Sequence, residues 1–131
     1  MMQERIKLLV LEDNPDLRQI MVDYLALQDD LEVIGSAGDG AEGMELVGQH
    51  QPDVILLDLI MPNFDGFSIL EKLHTLEGKR PQVIVTSAVG QEDFIRRAID
   101  MGVRYYMVKP YDMEVLVRRV RETKTSRAVR S

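Results

Sequence analysis

The sequence contains no cysteine, and no apolar run approaches the roughly 20 residues that cross a bilayer. The lack of cysteine excludes disulfides, thiol catalysis and any cysteine-ligated zinc or iron–sulfur site. The N-terminus, from Met1 to Arg5, has no apolar segment of the kind found in secretory signals. With 45% hydrophobic and 29% charged residues, the 131-residue chain has the composition of one globular domain. We therefore expect a cytoplasmic protein without membrane contact.

Positive charge is scarce outside the C-terminal end. The net charge is −6, yet the segment from Glu114 to Ser131 holds six basic residues and only two acidic ones, so the rest of the chain is strongly acidic. Nucleic-acid binding requires a basic face that neutralises phosphates. We therefore expect no direct nucleic-acid contact by this domain.

Short apolar runs alternate five times with segments of helical periodicity. Val54-Ile55-Leu56-Leu57 is an unbroken apolar run, which is typical of a central strand covered on both faces. Five strand–helix units of this length predict a doubly wound α/β fold with a five-stranded parallel sheet. The predicted strands lie near residues 6–11, 31–37, 54–58, 82–87 and 105–108. The first helix is predicted to bury Leu17, Ile20, Met21, Tyr24 and Leu25. The second helix is predicted to bury Ala41, Met44 and Val47.

Polar side chains close four of the five predicted strands. These are Glu12-Asp13, Asp58, Thr86-Ser87 and Lys109-Pro110. Because the carboxyl ends of parallel strands meet at one edge of the sheet, three carboxylates are expected to face a single lysine there. Their repulsion requires a further cation, and with only oxygen ligands available a hard ion such as Mg²⁺ is favoured, together with a phosphoryl group. Asp58, at the end of the central strand, is the predicted nucleophile.

The polar strand-end residues resemble those of the receiver domain of bacterial two-component response regulators. The resemblance includes Asp58-Leu59-Ile60-Met61-Pro62, Asp65-Gly66 and Tyr106 and extends over essentially the whole chain. The resemblance implies a flavodoxin-like (βα)5 fold with strand order 2-1-3-4-5. It also implies that Asp58 accepts a phosphoryl group from a phosphohistidine on a histidine kinase or phosphotransferase protein. Lys109 would pair with that group, and its bond to Pro110 would be cis. Mg²⁺ would be bound by Asp13, Asp58 and the backbone carbonyl of Ile60, with Glu12 acting through a water.

The resemblance further implies a switch in which Thr86 moves toward the phosphoryl group and Tyr106 turns inward. The change would reach the face formed by the fourth helix, fifth strand and fifth helix and would allow a homodimer to form on activation. Such a protein is not a conventional enzyme, although it catalyses its own aspartyl phosphorylation and dephosphorylation. Ile60 and Ala88 offer no polar side chain to orient a hydrolytic water, so we expect a long-lived phosphoform. Ser87 introduces a second hydroxyl that could compete for the phosphoryl oxygen.

Four segments are also similar to the receivers of sporulation-initiation transcription factors of spore-forming bacteria. They are Glu32-Val33-Ile34-Gly35, Gln51-Pro52-Asp53-Val54, Gly90-Gln91-Glu92-Asp93 and the run from Lys109 to Glu114. In that group a hinge leads to a DNA-binding output domain, which this chain is expected to lack. Residues 1–122 are then the predicted receiver, and residues 123–131 a polar tail that begins the hinge.

Three other functions remain open at this point. A haloacid-dehalogenase-like phosphatase would use Asp58 as nucleophile, but that family carries a second acid where this chain has Ile60. A flavodoxin-like nucleotide or flavin module would need glycines and amide donors where this chain has Glu12-Asp13-Asn14. A degenerate receiver would act only as a protein–protein adaptor, although all the predicted site residues are present.

Overall fold

A computed structural model describes residues 4–61, 64–88 and 90–130, and of residues 64, 65 and 125–130 it describes only the backbone. The strands are β1 (Ile6–Leu11), β2 (Leu31–Ala37), β3 (Val54–Asp58), β4 (Ile60–Met61), β5 (Phe64–Asp65), β6 (Gln82–Ser87) and β7 (Tyr105–Val108). Five parallel strands form one sheet in the order β2-β1-β3-β6-β7, and β4 and β5 pair separately as a short antiparallel ribbon. The helices are α1 (Pro15–Ala26), α2 (Gly40–His50), α3 (Gly66–His74), α4 (Glu92–Asp100) and α5 (Met113–Arg130).

The predicted doubly wound fold is confirmed. Counted among the five strands of the main sheet, the order is 2-1-3-4-5; the labels shift only because β4 and β5, which the sequence did not predict, intervene. Every residue of β3 is buried, as expected for a central strand with helices on both faces. Successive side chains alternate between two core clusters. One joins Leu9, Ile55, Leu57, Val83 and Val85 to α2, α3 and α4; the other joins Leu8, Val10, Leu56 and Ile84 to α1 and α5.

Two predicted core positions are wrong. Ile20 on α1 and Ala41 on α2 are exposed, and the buried face of α2 is formed by Gly40, Gly43 and Val47 instead. Gly43 is buried because the Leu11 side chain occupies its face: a Cβ at Gly43 would lie 2.8 Å from Leu11 Cδ2. Glycine carries no hydrophobic signal, so the sequence pattern placed the buried face about one residue away from its true position.

The ribbon after β3 depends on a close backbone approach. Gly66 N–H donates to the Leu59 carbonyl over 2.9 Å, and a Cβ at Gly66 would lie 2.8 Å from Leu59 Cα. Backbone atoms cannot yield as the tip of a side chain can, so only glycine fits here. The contact holds the start of α3 against the segment that follows Asp58.

Helix α5 extends further than the sequence indicated. Thr123, the first residue of the predicted polar tail, is buried, and its hydroxyl donates to the Val120 carbonyl. Lys124 Nζ donates to the Glu4 carbonyl over 3.1 Å. The backbone stays helical through Arg130, and Ser131 lies outside the described residues. The domain boundary itself stays a prediction. Within the described part of the chain, no helix has the length and apolarity to cross a membrane.

Candidate functional site

The predicted polar residues meet at the carboxyl edge of the main sheet. Asp58 is the last residue of β3 and pairs in register with Thr86 of β6. Glu12 and Asp13 follow β1, and Lys109 follows β7. The strand-end pattern of the sequence therefore predicted a real cluster, built from residues up to 97 positions apart in the chain.

Three carboxyl groups lie within reach of one ion. One oxygen from each of Glu12, Asp13 and Asp58 lies within 4.8 Å of the other two. Glu12 and Asp58 are 1% and 5% exposed, whereas Asp13 is exposed. At that separation two ionised carboxylates repel by about 3 kcal/mol at an effective dielectric constant near 20. The cluster is therefore stable as a set of anions only when positive charge is close.

Lys109 supplies part of that charge. Its Nζ lies 2.8 Å from Glu12 Oε1 and donates to Asp58 Oδ2 over 3.2 Å. The same ammonium therefore pairs with two of the three carboxyl groups. Burial acts to lower the pKa of Lys109, but the neighbouring Glu12 and Asp58 raise it above its ordinary value. The lysine is therefore held firmly in its charged form.

The pKa of Asp58 is raised to about 7, first by burial and then by its contact with Asp13 and the charge of Glu12, against the opposing charge of Lys109. Burial also acts to raise the pKa of Asp13, but hydrogen bonding with Asp58 and Glu12 and the charge of Lys109 lower it overall. One ammonium is thus insufficient for three carboxyl groups, and Asp58 keeps a proton near neutrality.

The donor set fits a hard divalent cation. All the candidate side-chain ligands are carboxylate oxygens, and those of Glu12 and Asp58 are buried beside the exposed Asp13. Asp13 and Asp58 would coordinate Mg²⁺, with Glu12 reached through water and the Ile60 carbonyl available beside Asp58. Bound Mg²⁺ would neutralise the carboxylates and the oxygens of a phosphoryl group.

Backbone contacts fix the orientation of Asp58 and Lys109. The Ile60 N–H donates to Asp58 Oδ1 over 3.1 Å, which leaves the Lys109 ammonium on Oδ2. The Lys109 N–H donates to the Ser87 carbonyl over 2.7 Å, and the Lys109–Pro110 bond is cis, as the resemblance implied. Strand β3 and the cis-proline loop therefore present the carboxylate and the ammonium to each other.

The sequence profile of the response regulator receiver domain matches residues 8–121. The chain belongs to this family. Similar solved structures include the N-terminal domain of an uncharacterized protein from Wolinella succinogenes (30% identity, TM-score 0.82, covering 97% of this chain and 99% of that one). The signal receiver domain of NarL from Mycobacterium tuberculosis has 30% identity, a TM-score of 0.85 and coverage of 92% and 97%. A DNA-binding response regulator of the LuxR family from Staphylococcus aureus has 28% identity and a TM-score of 0.80, and the match covers 89% of this chain and 97% of that one.

The receiver domain places the two predicted switch residues on neighbouring strands. Thr86 is buried beside Asp58, and Tyr106 of β7 pairs in register with Val85. The Tyr106 side chain is 50% exposed, whereas Tyr105 packs against the core, so one tyrosine is fixed and the other borders solvent, as the alternation predicted. Tyr106 lines a surface cavity of about 650 Å³ with Ile99, Val103, Arg104, Tyr105 and Arg119.

Ser87 does not share the face of β6 that carries Thr86. Side chains alternate along a strand, and Ser87 follows Val83 and Val85 toward the α3 and α4 side. Its hydroxyl is buried and has no hydrogen-bond partner among the described residues. That Ser87 competes for the phosphoryl oxygen stays a prediction.

Two side chains near the receiver site were missed by sequence reasoning. The Tyr111 hydroxyl donates to Met21 Sδ over 3.4 Å, which joins the loop after Lys109 to α1; burial, followed by the charges of Glu12 and Asp58, raises the pKa of this phenol. Arg18 Nη1 donates to the Glu12 carbonyl over 2.7 Å. Arg18 lies six residues after Glu12 on a helix, and no motif distinguishes it from a solvated surface arginine.

Proposed function

We propose that this receiver domain accepts a phosphoryl group on Asp58 in the presence of Mg²⁺. The observation that carries the proposal is the buried Asp58 carboxylate, held between the Ile60 N–H and the Lys109 ammonium beside two further acids. An Asp58 oxygen would form a bond to phosphorus while the phosphorus–nitrogen bond of a phosphohistidine breaks, and the donor imidazole leaves and takes up a proton from solvent. Lys109 would pair with a phosphoryl oxygen, and Thr86 would donate its hydroxyl hydrogen bond to another.

The donor is then a histidine kinase or a histidine phosphotransferase protein. In this role the chain is not a conventional enzyme, because its own Asp58 is modified, and hydrolysis of the resulting acyl phosphate releases phosphate and restores the carboxylate. The signal would pass from Thr86 to Tyr106 and shift the population of conformations at the face formed by α4, β7 and α5. A change in the Tyr106 side chain would alter the cavity on this face, where a second copy of the chain or an output domain could bind.

We propose transcription as the output and sporulation initiation as the cellular role. The Staphylococcus aureus relative is a DNA-binding response regulator, which favours transcription as the output. The assignment to sporulation initiation depends on the four sequence segments alone, and the similar structures add nothing to it. Residues 1–122 as receiver, followed by a hinge, belong to the same proposal, as does a cytoplasmic location.

The proposal is tested by incubating the protein with acetyl phosphate and Mg²⁺ and measuring its intact mass. We expect wild type to gain one phosphoryl group, and the gain to disappear in Asp58→Asn and when Mg²⁺ is removed by chelation. Asp53→Asn, at the opposite edge of the sheet, is the matched control and should label as wild type does. Labelling that persists in Asp58→Asn would remove Asp58 from its role.

A further inference from the structure

The loop that carries the two acids after β1 is tied down by an arginine of α1. Arg18 Nη1 donates to the Glu12 carbonyl over 2.7 Å, and on the other side of the same residue the Glu12 N–H donates to the Ala37 carbonyl. The Asn14 N–H donates to Glu12 Oε2 over 3.0 Å. Arg18 thus fixes the peptide unit that joins Glu12 to Asp13.

Gly38 provides the space that the Arg18 guanidinium occupies. A Cβ at Gly38 would lie 2.6 Å from Arg18 Nη1 and 3.4 Å from Arg18 Cζ, and no other described residue is as close. Gly38 has no positive φ, so its backbone conformation does not require glycine. Because the obstructing atoms are the tip of a flexible side chain, alanine at this position would displace the guanidinium and leave the fold intact.

We propose that Arg18 is a positioning residue for the acidic site and that Gly38 keeps its path to the Glu12 carbonyl open. The inference rests on the proposed function, because the group being positioned is the Asp13 carboxylate that would coordinate Mg²⁺. Asp13 is exposed, so burial does not orient its side chain. The direction of that carboxylate depends on the peptide plane that precedes it, and Arg18 holds the oxygen of this plane.

Arg18 acts through its hydrogen bond and not through its charge. The positive charge that lowers the pKa of Asp13 comes from Lys109. Removing the Arg18 charge alone would strengthen Mg²⁺ binding, because the site would become more negative, whereas losing the hydrogen bond would weaken it. Side chains that orient metal ligands are typically worth about 10- to 100-fold in metal affinity. We therefore expect the loss of orientation to dominate.

A double-mutant cycle read by Mg²⁺ calorimetry tests this inference. Arg18→Met keeps the length of the side chain and removes the donor, and we expect it to weaken Mg²⁺ affinity about tenfold. Gly38→Ala should weaken affinity to a similar extent. The double variant should bind no more weakly than Arg18→Met, because the guanidinium that the added methyl group would displace is already gone. Arg18→Lys, which retains a donor, should recover most of the affinity.

Gly48→Ala is the matched glycine control, since a Cβ there meets nothing within 4 Å, and its affinity should equal that of wild type. Thermal unfolding of each variant separates loss of positioning from loss of fold. Wild-type affinity in both Arg18→Met and Gly38→Ala, or an additive loss in the double variant, would overturn the inference.

Amide hydrogen exchange at Asn14 in the Mg²⁺-free protein provides a second, independent readout. We expect exchange about tenfold faster in Arg18→Met and Gly38→Ala than in wild type, because the Glu12 side chain that accepts from this N–H loses its anchored backbone. Unchanged exchange would overturn the inference. If wild type binds no Mg²⁺, the proposed function fails, while this measurement still decides whether Arg18 orders the acidic loop.

Discussion

Lys109 Nζ lies 3.2 Å from Asp58 Oδ2 although 51 residues separate the two in the chain. The same ammonium lies 2.8 Å from Glu12 Oε1, so one cation bridges the end of the central strand and the loop after β1. This arrangement makes the charge state of Asp58 depend on Lys109 and on any additional cation that binds.

Replacing Lys109 with glutamine should impair phosphorylation. The ammonium lowers the pKa of Asp58, so its loss raises that pKa further and removes the charge that would neutralise a transferring phosphoryl group. Removal of one such electrostatic contact typically costs about 100-fold in rate. The rate of mass gain with acetyl phosphate measures the effect. Lys79→Gln, a lysine paired with Asp53, is the control, and an unchanged rate in Lys109→Gln would contradict the role of Lys109.

Stability without Mg²⁺ should fall as the pH rises toward 8. The pKa of Asp58 is about 7 in the folded state and near 3.8 in the unfolded chain, so between these values the folded state binds more protons. Proton binding by Asp58 therefore favours the folded state, and this contribution is lost as the pH rises through 7. The free energy of unfolding should decrease by about 2 kcal/mol between pH 5.5 and 8. Urea unfolding at both pH values, with EDTA present, provides the measurement.

Asp58→Asn is the decisive comparison for this pH effect, because every other titratable group is the same in both proteins. The variant should lack the Asp58 part of the decrease and be the more stable protein at pH 8. Equal pH dependence in the two proteins would show that Asp58 is not the group responsible.

The proposed switch predicts that phosphorylation changes the surroundings of Tyr106 through Thr86. With fluorinated tyrosine, the ¹⁹F signal of Tyr106 should shift when wild type is phosphorylated, because the ring leaves its half-exposed position. In Thr86→Ala the protein should still take up phosphate, yet the Tyr106 signal should stay in place. The chain has four tyrosines, and Tyr105→Phe and Tyr106→Phe assign the signals of these two among the four. An equal shift in Thr86→Ala would exclude Thr86 as the intermediary.

The lifetime of the phosphoform should depend on Ile60. Its N–H holds Asp58 Oδ1, while its side chain is 46% exposed and offers no hydrogen-bonding group to a water near the acyl phosphate. Ile60→Asn should accelerate phosphate loss at least about tenfold, since an amide at this position can orient the attacking water. Ile60→Leu, which remains apolar, should decay as wild type does. Identical decay rates in all three proteins would contradict the expectation.

The cluster was predictable because the carboxyl ends of parallel strands share one edge. That rule, applied to Glu12, Asp13, Asp58, Thr86 and Lys109, needs only the sequence positions at which the apolar runs stop. The rule does not predict the distances within the cluster or the raised pKa of Asp58. Both depend on how closely Lys109 and Glu12 pack beside Asp58 in the folded protein.

Other features depend on packing that no periodic pattern encodes. Gly43 lies on the buried face of α2 because Leu11 fills the space beside it, and Gly66 touches the Leu59 backbone. Arg18 is an ordinary helix arginine until the fold brings Gly38 and the Glu12 carbonyl next to it. The end of α5 was underestimated because its sequence becomes polar, whereas Thr123 is buried and Lys124 contacts Glu4.

The central claim is that the Asp58 carboxylate becomes an acyl phosphate. Treating the phosphorylated protein with sodium borohydride reduces an acyl phosphate to the corresponding alcohol, so peptide mass spectrometry identifies the modified residue as homoserine. We expect homoserine at position 58, in proportion to the phosphoryl content measured before reduction. An intact aspartate at position 58 in protein that carried a full phosphoryl group would contradict it.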